Sequence, residues 1–132
     1  LAQDYPADRL EILVADGEPD SCEHIRASLE PAGYTVVTAL DSHEAIRLME
    51  ARPADLAIVD LFLRQGSGLG VLEACRNRRP GQRVVVLSNY ATVDMRRRCT
   101  QLGADAVFDK SNEIDALVDF CIDHCSPAPS GP

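Results

Sequence analysis

Residues 56–72 read LAIVDLFLRQGSGLGVL. LAIV is a run of apolar, partly β-branched side chains that stops at Asp60, the mark of a short strand buried on both faces. RQGSG follows as a loop rich in turn residues, and a helical pattern then runs from about Leu69 to Arg79. Strand, loop and helix recur outward in both directions. Toward the N-terminus, Leu10 to Ala15 and Tyr34 to Ala39 read as strands. Asp20 to Ala32 reads as a helix, with Cys22, Ile25, Ala27 and Leu29 at helical spacing. Ser42 to Ala51 is a second helix, opened by Asp41 and Glu44 in a capping-box pattern. Toward the C-terminus, Arg83 to Ser88 and Ala106 to Asp109 read as strands. Thr92 to Leu102, stopped by Gly103, and Asn112 to Cys125 read as helices. Five strands alternating with five helices predict an α/β domain, a doubly wound parallel sheet with helices on both faces.

The chain has 132 residues, 45% hydrophobic and 26% charged, which suits one domain and not two. Residues 9–125 are expected to form it, between a flexible segment over 1–8 and a disordered tail or linker over 126–132, where SPAPSGP closes the chain. No apolar run approaches the roughly 20 residues of a membrane span, and LAQDYPADRLE lacks the pattern of a signal peptide. A cytoplasmic protein without membrane contact is the expectation. The net charge of −8 argues against nucleic-acid contact. Cys22, Cys75, Cys99, Cys121 and Cys125 form no CxxC pair and read as reduced, mostly buried thiols.

In a doubly wound sheet, ligands bind beyond the carboxyl ends of the strands. The residues at or just past those ends include Asp16, Asp60, Ser88 and Lys110, and right-handed crossovers bring them to one edge. A carboxylate can attack phosphorus and form an acyl phosphate. Carboxylate oxygens can also hold a hard divalent cation, while a lysine supplies point charge and a serine a hydrogen bond to phosphoryl oxygens.

Four segments in order, ILVADGEP, LAIVDLFLRQGSGLGVL, VVVLSNYA and AVFDKS, resemble the receiver domain of two-component response regulators, the CheY-like family. The resemblance covers residues 10 to about 125. It implies a flavodoxin-like sheet of order 2-1-3-4-5 and a chain that is not an enzyme beyond accepting and slowly losing its own phosphoryl group. Asp60 would be the phosphoacceptor, with Ser88 and Lys110 on the phosphoryl group. Asp16, Asp60 and the backbone carbonyl of Phe62 would hold Mg²⁺, and Ser88 and Phe108 would form the switch. A histidine kinase or histidine phosphotransfer protein would supply the phosphoryl group. The surface of the fourth helix, fifth strand and fifth helix would then bind a downstream protein partner or a second copy.

The departures from the family pattern are specific. Gly17 replaces the second acid after the first strand, which removes one direct metal ligand and leaves either a weaker site or one completed by Glu18. That change keeps open the alternative of a pseudo-receiver, a phosphate-independent interaction module. A free-standing hydrolase is the third reading, and it lacks an evident general base. Arg64 and Ser111 stand where relatives carry prolines, and the second change is expected to alter the loop that carries Lys110. Asn89, Tyr90 and Phe62 crowd the acceptor, so an acyl phosphate there is expected to be lost slowly. Arg96, Arg97 and Arg98 read as a solvated face, or else as a contact for an acidic partner. Arg76, Arg78 and Arg79 read as positive charge closing the third helix. Cys121 and Cys125, one turn apart, read as core packing and not as a metal pair, and His24 and His43 read as surface residues.

Overall fold

The computed structural model describes residues 10–51 and 54–124. The expectations for residues 1–8 and 126–132 and for Cys125 lie outside that range. Strands β1 (Glu11–Ala15), β2 (Thr35–Ala39), β3 (Leu56–Val59), β4 (Arg83–Ser88) and β5 (Ala106–Asp109) alternate with helices α1 (Pro19–Leu29), α2 (Ser42–Ala51), α3 (Gly68–Ala74), α4 (Val93–Gln101) and α5 (Ile114–His124). The sheet order is β2-β1-β3-β4-β5 and every pairing is parallel, as the sequence predicts.

Alternation along each strand divides the core in two. Leu13, Ala15, Ala57, Val59, Val84 and Val86 face one side, where Met49 of α2, Val71 and Leu72 of α3 and Cys99 of α4 cover them. Ile12, Val14, Leu56, Ile58, Val85 and Leu87 face the other, under Cys22, Ile25 and Leu29 of α1 and Leu117 and Cys121 of α5. Full burial of each large aliphatic side chain contributes about 1.5–3 kcal/mol relative to exposure. That explains why apolar runs too short for a helix, such as LAIV, form strands here. Cys22, Cys75, Cys99 and Cys121 are buried, in keeping with their reading as core thiols.

The helices differ from expectation at their ends. α1 stops at Leu29, and Glu30–Ala32 forms a 3₁₀ turn, since Pro31 cannot donate the next helical hydrogen bond. α3 ends at Ala74, five residues short of the expected Arg79. Arg78 therefore does not sit in a helical last turn. Its guanidinium donates to the carbonyls of Cys75 (3.1 Å), Gln82 (3.1 Å) and Gly103 (2.7 Å) and to Asp105 Oδ2 (2.9 Å). These contacts hold the segment after α3 against the turn after α4, which supersedes the dipole reading for this residue. At α2, Asp41 Oδ1 accepts from the Glu44 amide (2.8 Å), and Glu44 Oε1 accepts from the Leu40 amide (3.2 Å). The expected capping box is present, closed one residue earlier than the standard form.

Candidate functional site

The ladders that build β1 and β3 run one hydrogen bond past the strands. The Asp16 amide donates to the Ala39 carbonyl (2.9 Å) and the Asp60 amide to the Ala15 carbonyl (2.8 Å). Both carboxylates thus leave neighbouring strands at the same edge, and both are nearly enclosed, with Asp16 2% and Asp60 8% exposed. At the end of the adjacent pair, the Lys110 amide donates to the Ser88 carbonyl (2.9 Å). The Lys110 side chain reaches back to place Nζ against Asp16 Oδ2 and 2.7 Å from Asp60 Oδ2. Three of the four strand-end residues are therefore in direct contact.

Each carboxylate is further fixed by its own loop. Asp16 Oδ1 accepts from the Glu18 amide (3.0 Å), and Asp16 Oδ2 from Ser21 Oγ (2.6 Å) at the start of α1. Asp60 Oδ1 accepts from the Phe62 amide (3.0 Å). Ser21 is a site residue that the sequence reading missed, and its placement in the first turn after Asp16 was the available signal. Burial works to depress the Lys110 ammonium, but hydrogen bonds and attraction from Asp16 and Asp60 outweigh it and raise its pKa above the ordinary lysine value.

Ser88 is fully buried at the same edge. Its Oγ accepts from the Tyr90 amide (3.0 Å), so it shapes the β4–α4 turn. Phe108, on β5, is half-buried and packs edge-on against Phe120 of α5 with ring centroids 5.7 Å apart. Of the residues expected to crowd Asp60, Phe62 and Tyr90 pair with each other, ring centroids 4.8 Å apart, and are 61% and 58% exposed. Both line a cleft of about 370 Å³ that they share with Gly17, Glu18, Asp60, Arg64 and Asn89. Glu18 is exposed at its rim.

The Asp60 loop is held by close packing. A Cβ on Gly68 would lie 2.2 Å from the Asp60 carbonyl oxygen, so only glycine lets α3 start directly beneath Asp60. At the other loop, Ser111 donates through its amide (2.8 Å) and its hydroxyl to Asp109 Oδ1, and these bonds hold the Asp109 carboxyl below its ordinary value.

The arginines of α4 do not behave alike. Arg96 is partly exposed but tied into the fold. Its Nε donates to the Ala91 carbonyl (3.0 Å), Nη1 to the Val107 carbonyl (2.8 Å) and Nη2 to Glu113 Oε1 (2.9 Å). Arg97 and Arg98 are exposed, as the sequence reading has them.

A doubly wound sheet whose carboxyl edge carries two buried aspartates bridged by a lysine has, at the ligand-binding edge of its fold, the charged groups that phosphoryl chemistry uses. Residues 12–121 match the model of the response regulator receiver domain, and the chain belongs to that family, the receivers of two-component signalling. It is 33% identical over 135 residues to the photosynthetic apparatus regulatory protein RegA of Cereibacter sphaeroides, covering all of this chain and 73% of that protein. It is 31% identical over 107 residues to the acid tolerance regulatory protein ActR of Rhizobium meliloti, covering 81% of this chain and 55% of the relative. Against NtrX-like response regulators the matched region is only about a quarter of their length.

Among solved structures, the CheY-like receiver domain protein from Methanospirillum hungatei superposes with a TM-score of 0.80 at 25% identity, covering 87% of this chain and 92% of that one. A response regulator from Burkholderia pseudomallei, solved with a phosphorylated aspartic acid, a calcium ion and citrate, superposes with a TM-score of 0.75 at 28% identity. That match covers 83% of this chain and 64% of that one.

Receiver domains generally bind Mg²⁺. The hard oxygens of Asp16 and Asp60 and the Phe62 carbonyl suit a magnesium ion that keeps several of its waters. Gly17 adds no ligand, and among the described residues no cluster of three or more His, Cys, Asp or Glu side chains is arranged to hold a metal.

Proposed function

We propose that the chain accepts a phosphoryl group on Asp60 from a phosphohistidine of a histidine kinase or phosphotransfer protein, and that the group changes the surface built by α4, β5 and α5. The observation that carries this reading is the Lys110 ammonium set between Asp16 and Asp60, 2.7 Å from the acceptor carboxylate. An Asp60 oxygen attacks phosphorus as the bond from phosphorus to the donor nitrogen breaks. The nitrogen keeps the electron pair, and the donor ring, protonated on its other nitrogen, leaves as a neutral imidazole. Lys110 moves with its charge onto the phosphoryl oxygens, and the Ser88 hydroxyl, whose oxygen accepts from the Tyr90 amide, donates its hydrogen to one of them. Asp16, Asp60 and the Phe62 carbonyl would hold Mg²⁺, which when bound supplies charge neutralisation to the same oxygens.

The solved relative with a phosphorylated aspartic acid supports this assignment by likeness. The alternative, a phosphate-independent pseudo-receiver, is favoured by one observation, the absence of a side chain at Gly17.

Intact mass after incubation with phosphoramidate separates the two readings. A single phosphoryl adduct on the wild type that Asp60→Asn lacks is the expected result. A folded wild type that takes no adduct from phosphoramidate or from phosphohistidine donors overturns it. The Phe62–Tyr90 pair lining the cleft adds a second expectation: Tyr90→Ala should lose the adduct several-fold faster by opening the acyl phosphate to water. Equal decay of wild type and variant counts against that shielding.

A further inference from the structure

The position that lacks its acid is filled from across the cleft. A Cβ built on Gly17 would lie 3.1 Å from the Arg64 backbone nitrogen, 3.2 Å from the Leu63 carbonyl carbon and 3.2 Å from the Phe62 carbonyl oxygen. Residues 62–64 have therefore settled onto residue 17 more closely than a side chain there would comfortably allow. Two hydrogen bonds of Arg64 hold the approach: its amide donates to the Leu40 carbonyl (3.0 Å), and its Nε to the Gly17 carbonyl (3.1 Å). The guanidinium lines the same cleft as Asp60. Among the described residues no carboxylate pairs with it, and only Nε has a hydrogen-bond partner on the side chain.

From this arrangement we infer that Arg64 is a second cationic ligand for the phosphoryl group, standing in for part of the charge that a metal supplies when an acid occupies position 17. The inference rests on Asp60 being the phosphoacceptor. A planar guanidinium fixed through Nε keeps its Nη donors for phosphoryl oxygens, a geometry suited to oxyanions. The charge count agrees. With an acid at 17 the pocket would hold three carboxylates and one lysine, and a divalent ion would balance the remaining two negative charges. With Gly17 the enclosed set of Asp16, Asp60 and Lys110 keeps one net negative charge, and Arg64 and Glu18, both exposed on the cleft, add one charge of each sign, so Arg64 leaves less for an ion to balance. Arg64 and Mg²⁺ thus compete for one electrostatic role, and removing either strengthens dependence on the other.

The test uses the full chain as wild type, Arg64→Gln and Arg64→Lys. Phosphoramidate is the donor, adducts are followed by intact mass, and Mg²⁺ binding is titrated by calorimetry. In chelator, Arg64→Gln should take the phosphoryl group about tenfold more slowly than wild type, the worth of one charge-assisted hydrogen bond. The deficit should shrink at saturating Mg²⁺, the glutamine variant should bind Mg²⁺ several-fold more tightly than wild type, and Arg64→Lys should fall between.

An equal loss of rate at all Mg²⁺ concentrations with unchanged or weaker Mg²⁺ binding would mean that Arg64 only shapes the loop, and it overturns the proposal. So does a variant with wild-type rate and Mg²⁺ affinity. A wild type that forms no adduct at all overturns the assignment of Asp60 together with this one, whereas an active wild type with an indifferent variant overturns this one alone.

Discussion

Lys110 shows how one residue can be read from sequence in type and place while its energetic role waits for the structure. Its position after AVFD marks it as a strand-end cation, but only the fold brings its ammonium between two carboxylates whose side chains are 3% and 10% exposed. Removing one partner from such an enclosed set leaves uncompensated charge, a loss of about 3–5 kcal/mol for fully buried pairs and somewhat less here because water reaches the cleft. Lys110→Met is therefore expected to lower unfolding stability by about 3 kcal/mol in urea titration. Adding Asp60→Asn to that variant should restore much of the loss by removing the repulsion between Asp60 and Asp16. If the double variant is less stable than Lys110→Met alone, repulsion between these carboxylates is not the cause.

Asp16, Asp60 and Lys110 were legible because each ends an apolar run, a local signal. Ser21, Arg64 and Arg96 were not, because a long or small polar side chain on a helix or loop carries no mark of what it meets across the fold.

Among the elements, the junction of α4 with its neighbours departs most from its sequence reading. RRR on an exposed-looking helix suggests a solvated stripe, yet the first arginine joins three segments: Ala91 in the β4–α4 turn, Val107 on β5 and Glu113 before α5. Glu113 Oε1 also accepts from the Asp109 amide (2.6 Å), next to Lys110. Arg96 thereby connects the turn that follows Ser88 to the loop that carries Lys110. The Arg96 hydrogen bond holds the Glu113 carboxyl below its ordinary value, so the clasp is charged at neutral pH. Arg96→Gln should speed hydrogen exchange at the Asp109 amide while the far strands β1 and β2 keep their protection. Unchanged exchange at Asp109 would show that Glu113 caps the loop without Arg96. The five strands were readable because burial on both faces writes continuous apolar runs, and their order came from the family resemblance. The ends of α1 and α3 were not, since Pro31 and the Arg78 contacts end helices that the apolar spacing alone would continue.

For the molecule as a whole, the two cores place proton-binding groups so that alkaline pH weakens the fold. Burial, reinforced by Asp16, pushes the Cys22 thiol up to about 11 from an ordinary 9.0. Burial also raises Cys75 and Cys99. As pH rises past 9, thiols of the unfolded chain lose protons that the folded chain retains, so the unfolded state gains stability relative to the folded one. Lys110 acts with the same sign at higher pH. Its raised value keeps the folded ammonium charged after the unfolded lysine begins to deprotonate, and its contribution is lost as pH climbs above 10.5. Unfolding stability is thus expected to hold level from neutrality to about pH 9 and to fall beyond it, by about 2 kcal/mol from Cys22. Urea midpoints measured between pH 7 and 11 check this directly. Cys22→Ala should flatten the curve between 9 and 10.5 and leave the steeper fall above it, where Lys110 titrates. A variant curve that runs parallel to wild type throughout would place the alkaline loss elsewhere than in the core beneath the acidic pocket.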